Sequence, residues 1–419
     1  MNLSRSRGRA VVGGLLAAAV FLTACSSDDS QGDGGSDTTA PADLSLLGPS
    51  KPAAGDPVKI GFITDGQSAA TDARDEAKSA QAAVDYVNEH LAGVAGRPLE
   101  LVTCETNVTP AGATDCANQM IAAEVPIVLQ VAPGVPQPIV TALDEAKIPY
   151  FVDAAIDQEV LVSPNSYVLT NTLGGLAAPV KVAQDLGVEK VAAILIDLPA
   201  AVGPIKALGQ PLFDDAGLTV DFVAVPPGTP DMTPQVQDAL DSGAELVNII
   251  GDPAFCISAL GALDTLGYEG GRLVNPQCIS PETAQSVPGG VDGVMVATTE
   301  SLDSSDPEVA LYEAVMAEYA PDTEPHGSTT PGAFGIVVAF ARAMTGLTGE
   351  VTAESVRSAM ESANPQPMPL LDGQTFKCDR TLFELAPPVC SSGIAIVTLD
   401  ADGQPRDTKV FDTESIING

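Results

Sequence analysis

Two periods of apolar residues alternate along this chain. Val58-Lys59-Ile60-Gly61-Phe62-Ile63-Thr64 is a short apolar run that breaks at Asp65-Gly66-Gln67-Ser68, and it is followed by Ala77, Ala80, Val84, Val87 and Leu91, spaced three or four apart. The first pattern predicts a buried strand and the second a helix over 77–91, so together they make half of a βαβ unit. The same alternation predicts strands over 99–102, 126–131 and 149–152, separated by a helix that Thr109-Pro110 caps and a helix over 138–146. Pro110 suits the first helical position, where its missing donor costs nothing. Composition turns near 170–175, and the rhythm then restarts. Strands are predicted over 191–196, 218–225, 246–250, 273–274 and 293–297, and helices over 177–186, 204–216, 233–242 and 257–266.

Two successive runs of alternating units imply an α/β fold of two doubly wound parallel-sheet lobes with helices on both faces. Helices over 308–319 and 331–347 are expected to return to the first lobe, and 393–398 followed by Asp402-Gly403 reads as a strand entering a hairpin. A calcium loop at Asp400-Ala401-Asp402-Gly403 lacks a third oxygen ligand at the required spacing, because Gln404 is followed by Pro405. The expected division is lobe I over 57–172 with 299–380, and lobe II over 173–298 with 381–419. In open α/β sheets ligands sit outside the carboxyl ends of the strands, so the loops there are the first candidates for function.

The amino terminus adds an address. Arg5, Arg7 and Arg9 precede an uncharged run over 10–22 that is too short for a membrane span, the layout of a secretory signal. It ends in Leu22-Thr23-Ala24-Cys25-Ser26-Ser27, which resembles a bacterial lipobox. The resemblance implies a signal peptide over 1–24, lipid on Cys25 and anchoring to the outer face of the cell membrane. Residues 25–56, rich in Ser, Asp, Gly, Pro and Ala, read as a flexible tether. The formal net charge is −36, and without the first 24 residues, which hold three Arg and no acid, it falls to −39. Such a chain is repelled by nucleic acid, which is excluded as a partner. A solvated acidic surface is the simplest reading of the charge.

Once Cys25 is given to lipid, six cysteines remain in three close sequence pairs. In an exported chain an even number suggests disulfides, and the spacing points to Cys104 with Cys116, Cys256 with Cys278, and Cys378 with Cys390. A zinc site has no support: no Cys-x-x-Cys occurs, and the only histidines, His90 and His326, read as surface residues. No cofactor or metal is expected.

Several stretches together resemble one family. Ile60-Gly61 with Ala77, Ala80, Ala83 and Asn88, then Gly96-Arg97-Pro98-Leu99-Glu100-Leu101-Val102, is similar to the opening βαβ of the type I solute-binding proteins of ABC transporters, in the branched-chain amino acid (leucine/isoleucine/valine-binding) group. Pro110 with Ala113, Met120 and Ile121 resembles that family's second helix, and Ile148-Pro149-Tyr150-Phe151-Val152-Asp153-Ala154-Ala155 its fourth strand and loop. Asp231-Met232-Thr233-Pro234-Gln235-Val236, with Ser242-Gly243-Ala244-Glu245-Leu246-Val247 and Gly251, looks like its second-lobe signature.

The resemblance implies two lobes joined by three crossovers that capture a small organic solute (an amino acid, amide or related compound) and present it to permease subunits, the chain acting as a monomer. It places the ligand among Thr64, Asp65, Gly66, Gln67, Ser68, Ala132, Pro133, Gly134, Asp153, Ala154, Ala155 and Ile156 of one lobe, and Ala201, Val202, Gly251, Asp252, Phe255 and Asn275 of the other. Asp197 and Gln277 are further polar candidates, and each polar residue taken singly also reads as a helix cap or loop residue.

The family's hydroxyl-bearing loop positions fall here near Ala132-Pro133-Gly134 and at Ile156, its second-lobe acid at about Phe255, and its aromatic at Val202. An α-amino acid needs partners for both charged ends, so this pattern favours an apolar body with one polar or cationic end. A ligand-sensing lipoprotein of the same fold without a transporter is the alternative. A hydrolase is disfavoured, since neither Gly-x-Ser-x-Gly nor His-Glu-x-x-His occurs.

Overall fold

Residues of one strand alternate between two faces, and in the first sheet that alternation decides which helices cover it. The computed structural model describes residues 42–67, 72–279, 281–325, 327 and 329–419, and of 199–201 and 281–282 only the backbone. Cys25, Ser68 and His326 therefore lie outside the described residues.

Strands β1 (Val58–Thr64), β2 (Leu99–Glu105), β3 (Val128–Gln130), β4 (Tyr150–Val152) and β5 (Ser166–Val168) pair in the order β2-β1-β3-β4-β5, all parallel. Helices α1 (Glu76–His90), α2 (Pro110–Ala122), α3 (Pro136–Ala146) and α4 (Gln158–Val162) connect them. Ile60, Phe62, Leu129 and Phe151 point to one face, where Ala80, Val84 and Val87 of α1 lie. Ile63, Val128, Tyr150 and Val152 point to the other, against Met120, Ile139 and Leu143 of α2 and α3.

The second sheet repeats the plan. Strands β6 (Lys190–Ile196), β7 (Thr219–Val225), β8 (Leu246–Ile250), β9 (Gly271–Val274) and β10 (Met295–Thr298) run parallel in the order β7-β6-β8-β9-β10. Helices α5 (Gly174–Leu186), α6 (Pro199–Asp215), α7 (Thr233–Asp241), α8 (Pro253–Thr265) and α9 (Pro281–Ser286) accompany them. The chain then leaves this sheet. Among α10 (Pro307–Tyr319), α11 (Thr330–Ala343) and α12 (Ala353–Ser362), α11 packs on α1, where Ser79 Oγ donates to Thr330 O at 2.6 Å, and Glu361 of α12 accepts from Tyr167 OH of β5.

A two-stranded ribbon, β11 (Gln366–Pro367) with β12 (Thr375–Phe376), precedes the last passage. β13 (Gly393–Leu399) and β14 (Pro405–Asp412) add to β10 as an antiparallel hairpin, ahead of α13 (Glu414–Ile417). The chain thus passes between the two sheets three times: after β5, after β10 and before β13. The second sheet is mixed rather than wholly parallel, because a hairpin needs only a tight turn where a further parallel strand needs a helical crossover. Asp400 Oδ1 organises that turn by accepting from Asp402 N and Gln404 N, both at 2.9 Å.

Local chemistry explains the element bounds. Thr109 Oγ1 accepts from Gly112 N at 3.1 Å, so the predicted cap of α2 is formed. Two helices begin a turn earlier than their periodicity suggests. α8 starts at Pro253 behind Asp252, whose Oδ1 accepts from Phe255 N at 2.9 Å, and α6 starts at Pro199 and carries Pro204 and Pro211 inside it. Pro204 reads as a first-turn residue from sequence, yet Pro199 takes that place. Disulfides join Cys104 with Cys116, Cys256 with Cys278, and Cys378 with Cys390, as the spacing predicts. No helix of the described residues is long and apolar enough to cross a membrane.

Candidate functional site

Both sheets carry their first parallel strands in the order 2-1-3-4-5, which reverses direction between β1 and β3 and again between β6 and β8. Crevices open outside the carboxyl ends of strands at such reversals. Those ends carry the loops 65–67 and 131–135 in the first sheet, and 197–198 and 251–252 in the second.

In the first sheet the candidates are largely turned into an internal network. Asp65, 8% exposed, accepts from Thr106 Oγ1 at 2.7 Å, Gly134 N at 2.8 Å and Gln130 Nε2 at 3.4 Å, while Gln130 Oε1 accepts from Tyr150 OH at 2.6 Å. Asp65 therefore ties the ends of β1, β2 and β3 together. Thr64 Oγ1 donates to Glu76 Oε2 at 2.5 Å and accepts from Gly66 N at 3.2 Å. Gln67, Ala132 and Gly134 are exposed, Pro133 and Ala155 are buried, Ala154 is half-buried, and Ile156 is 74% exposed.

Asp153 differs from its neighbours. Its N–H donates to the carbonyls of Gln130 and Val131 at 3.0 and 3.1 Å, and its carbonyl accepts from Thr170 N and Oγ1 at 2.9 and 2.8 Å. The backbone is thus fixed on both sides, and the residue is 7% exposed.

In the second sheet the polar candidates support the loop. Asn275 bridges Gly251 both ways, accepting from its N–H and donating to its carbonyl, each at 3.2 Å. Asp252 caps α8, and Phe255, 3% exposed, packs its ring over Gly251, where a Cβ would lie 2.3 Å from ring carbon Cδ1. The disulfide from Cys256 to Cys278 fastens this cap to the turn after β9. Val202 is half-buried, and the side chain of Ala201 lies outside the described residues. Gln277 accepts from Asn275 Nδ2 at 2.5 Å, and Asp197 is exposed.

Two carboxylates at the strand ends escaped sequence reasoning. Glu76, at the start of α1, passes for an ordinary acid in a first helical turn, where the helix dipole favours one. It is 3% exposed, and burial pushes its carboxyl up to about 7 against hydrogen bonds from Thr64 and Thr329, with the charge of Asp65 adding to the rise. Glu300 follows β10, and desolvation pushes its carboxyl up to about 7 as well. Burial raises the Asp153 carboxyl well above the usual range, and the charges of Glu300 and Glu76 raise it further. Asp153 follows β4 of the first sheet, and Glu300 follows β10 of the second. The first charge after a predicted strand was the available signal for Glu300.

Similarity to known proteins agrees with this layout. The family model described as periplasmic binding protein matches residues 57–403. A structure of an ABC transporter substrate-binding protein from Sphaerobacter thermophilus is similar at TM-score 0.68 and 19% identity, over 84% of this chain and 98% of that one. LivJ, the branched-chain amino acid transporter substrate-binding protein of Streptococcus pneumoniae, solved with isoleucine, gives 0.64 and 16% over 85% and 100%. A solute-binding protein of an ABC transporter from R. palustris, solved with 4-hydroxybenzoate, gives 0.65 and 18% over 85% and 97%. No curated protein sequence matches the chain. These relatives are binding proteins rather than enzymes, and with a family match running through both sheets the chain belongs to the periplasmic binding protein family.

Proposed function

We propose that this chain is an extracytoplasmic capture protein that closes on a small organic solute between its two lobes and hands it to an ABC permease, held at the cell surface by lipid on Cys25. The observation that carries the reading is the doubled 2-1-3-4-5 order in a member of this family, which sets two crevices at the strand ends. Lobe I is assigned to 57–172 with 299–380, and lobe II to 173–298 with 381–419. The solute is assigned to the exposed and half-buried residues Gln67, Ala132, Gly134, Ala154, Ile156 and Val202, with Asp153 beneath them. Asp65, Asp252, Asn275 and Phe255 shape the loops from behind.

The relatives bind both an amino acid and an aromatic acid, so the family scaffold leaves the solute open. The surroundings here favour an apolar body with one polar end, since such sites combine an apolar lining with few fixed polar groups. Anchoring is tested by fractionation. Cys25→Ala is expected to move the protein from the membrane to the soluble fraction, and retention on the membrane would remove the lipid from the account.

A further inference from the structure

One face of the second sheet is covered by α5 and α6, and the cover leaves a gap. Leu195, Ile205, Phe213, Phe222 and Ile250 wall a cavity there, and Asn248 of β8 is the one polar side chain on its wall. Asn248 is 5% exposed, so its carboxamide is buried among hydrocarbon. Its register partners on the flanking strands, Ala193 of β6 and Leu273 of β9, carry no polar side chain. A buried carboxamide costs free energy unless it is paired, and no side chain of the wall can pair with it.

The two helices set the shape of the cavity. Gly175 of α5 lines it and is exposed, and a Cβ there would meet nothing within 4 Å, so the cavity opens to solvent at that point. Gly209 of α6 is buried, and a Cβ there would make ordinary contact with Phe222 at 3.6 Å and Leu176 at 4.0 Å, so the glycine leaves out a side chain that would fit. The unfilled space is about 260 Å³ counted out to the mouth and narrow within, with room for about one water molecule. α6 is the part of the cover that can give. Pro204 and Pro211 lie inside it, and each removes a backbone donor from the helical ladder. Pro179 does the same in α5.

We infer that this cavity is a second binding site, separate from the crevices at the strand ends, for a small neutral molecule with an apolar body and a single hydroxyl group. The hydrocarbon wall takes the apolar body, and the hydroxyl pairs with the Asn248 carboxamide, which can both donate and accept. A ring does not fit the gap as it stands, so α6 moves outward as one enters. A charged molecule is excluded, because the wall holds no charged group to pair with it. The site uses none of the residues assigned to the captured solute, so it stands whether or not the capture role does.

Phenol and benzene are the probes, since they differ by the hydroxyl alone. Methyl-resolved NMR titration of the full chain reads the site directly through Leu195, Ile205 and Ile250, and phenol is expected to shift all three in a saturable way. Asn248→Leu keeps a similar volume without the amide. It is expected to move the ratio of phenol to benzene affinity about tenfold toward benzene, the size of one hydrogen bond. Gly209→Ala is expected to weaken both probes by taking up space beside Phe222. Both variants should raise the melting temperature of the ligand-free protein, the first by removing a buried amide and the second by placing a better helix former in a gap that accepts it. Altered binding with gained stability distinguishes the site from a damaged fold.

Methyl signals of the three residues that phenol leaves unmoved, or moves without saturation, overturn the inference. Saturable shifts confined to the strand-end loops overturn it too and assign phenol to the capture site instead. A ratio of phenol to benzene affinity that is unchanged in Asn248→Leu removes the hydroxyl contact and with it the chemistry assigned to the ligand. Unchanged affinity in Gly209→Ala places the probes outside the cavity and overturns the inference as well.

Discussion

Glu76 gives the clearest account of how one residue couples the site to the stability of the fold. Its folded carboxyl titrates at about 7, above the usual value of 4.5, chiefly through burial. A raised acid holds its proton longer in the folded chain, so its contribution is fully present below the unfolded value and is lost as pH rises through the folded one. The ligand-free protein is therefore expected to lose stability between pH 5 and pH 8. Glu76→Gln should remove on the order of 2–3 kcal/mol of that loss. Urea denaturation of both proteins across the range measures it, and a variant that keeps the wild-type slope contradicts the assignment.

At this scale the caps were legible in the sequence. Thr109 before Pro110 and Asp252 before Pro253 carry their function in their neighbours. The acid cluster was not legible, because Asp153, Glu76 and Glu300 come from three distant stretches and gain their meaning only from burial together. Asp65, a natural ligand candidate by position, proves to be satisfied by Thr106, Gln130 and Gly134.

The elements follow the same rule, with local signals legible and borrowed stability not. The alternating strands and helices of both sheets show in apolar spacing, as does the hairpin of β13 and β14, with Asp402-Gly403 at its turn. β5 carries little signal: three residues long, beginning with Ser166, it is fixed by pairing with β4 rather than by its own pattern. α12 was not predicted, although Thr352 and Ser355 exchange hydrogen bonds at its cap and Val356 and Met360 bury one face. Tertiary contacts override weak local preference in such cases.

The disulfide between Cys256 and Cys278 is the element-scale feature closest to function, since it clamps the cap of α8 to the turn that positions Asn275. Replacing both cysteines by alanine is expected to cost about 3 kcal/mol by the loop-closure argument. The loss should appear in denaturant melts as a lower midpoint, with a slope no shallower than the wild type's because the unfolded chain is released from its loop. A double variant as stable as the wild type would mean that the packing of Phe255 over Gly251 alone holds this corner.

For the whole molecule, two lobes of matching strand order offer a physical reason for capture. A solute touching the strand ends of both binds best when they are together, and its binding energy then stabilises the folded chain by RT ln(1 + [L]/Kd). The lobe alternation was legible because it is periodic. The identity of the solute was not, because it depends on which loop side chains point outward.

Thermal unfolding of the full chain against a broad panel of small amines, amides, amino acids and organic acids tests capture most directly. At concentrations about a hundredfold above Kd, a true solute contributes about 2.7 kcal/mol and should raise the melting temperature by a few degrees. The account predicts that a chemically related subset of the panel does so at neutral pH, in proportion to the logarithm of concentration. A melting temperature that no compound in the panel raises would contradict the claim that this chain is built to close on a small solute.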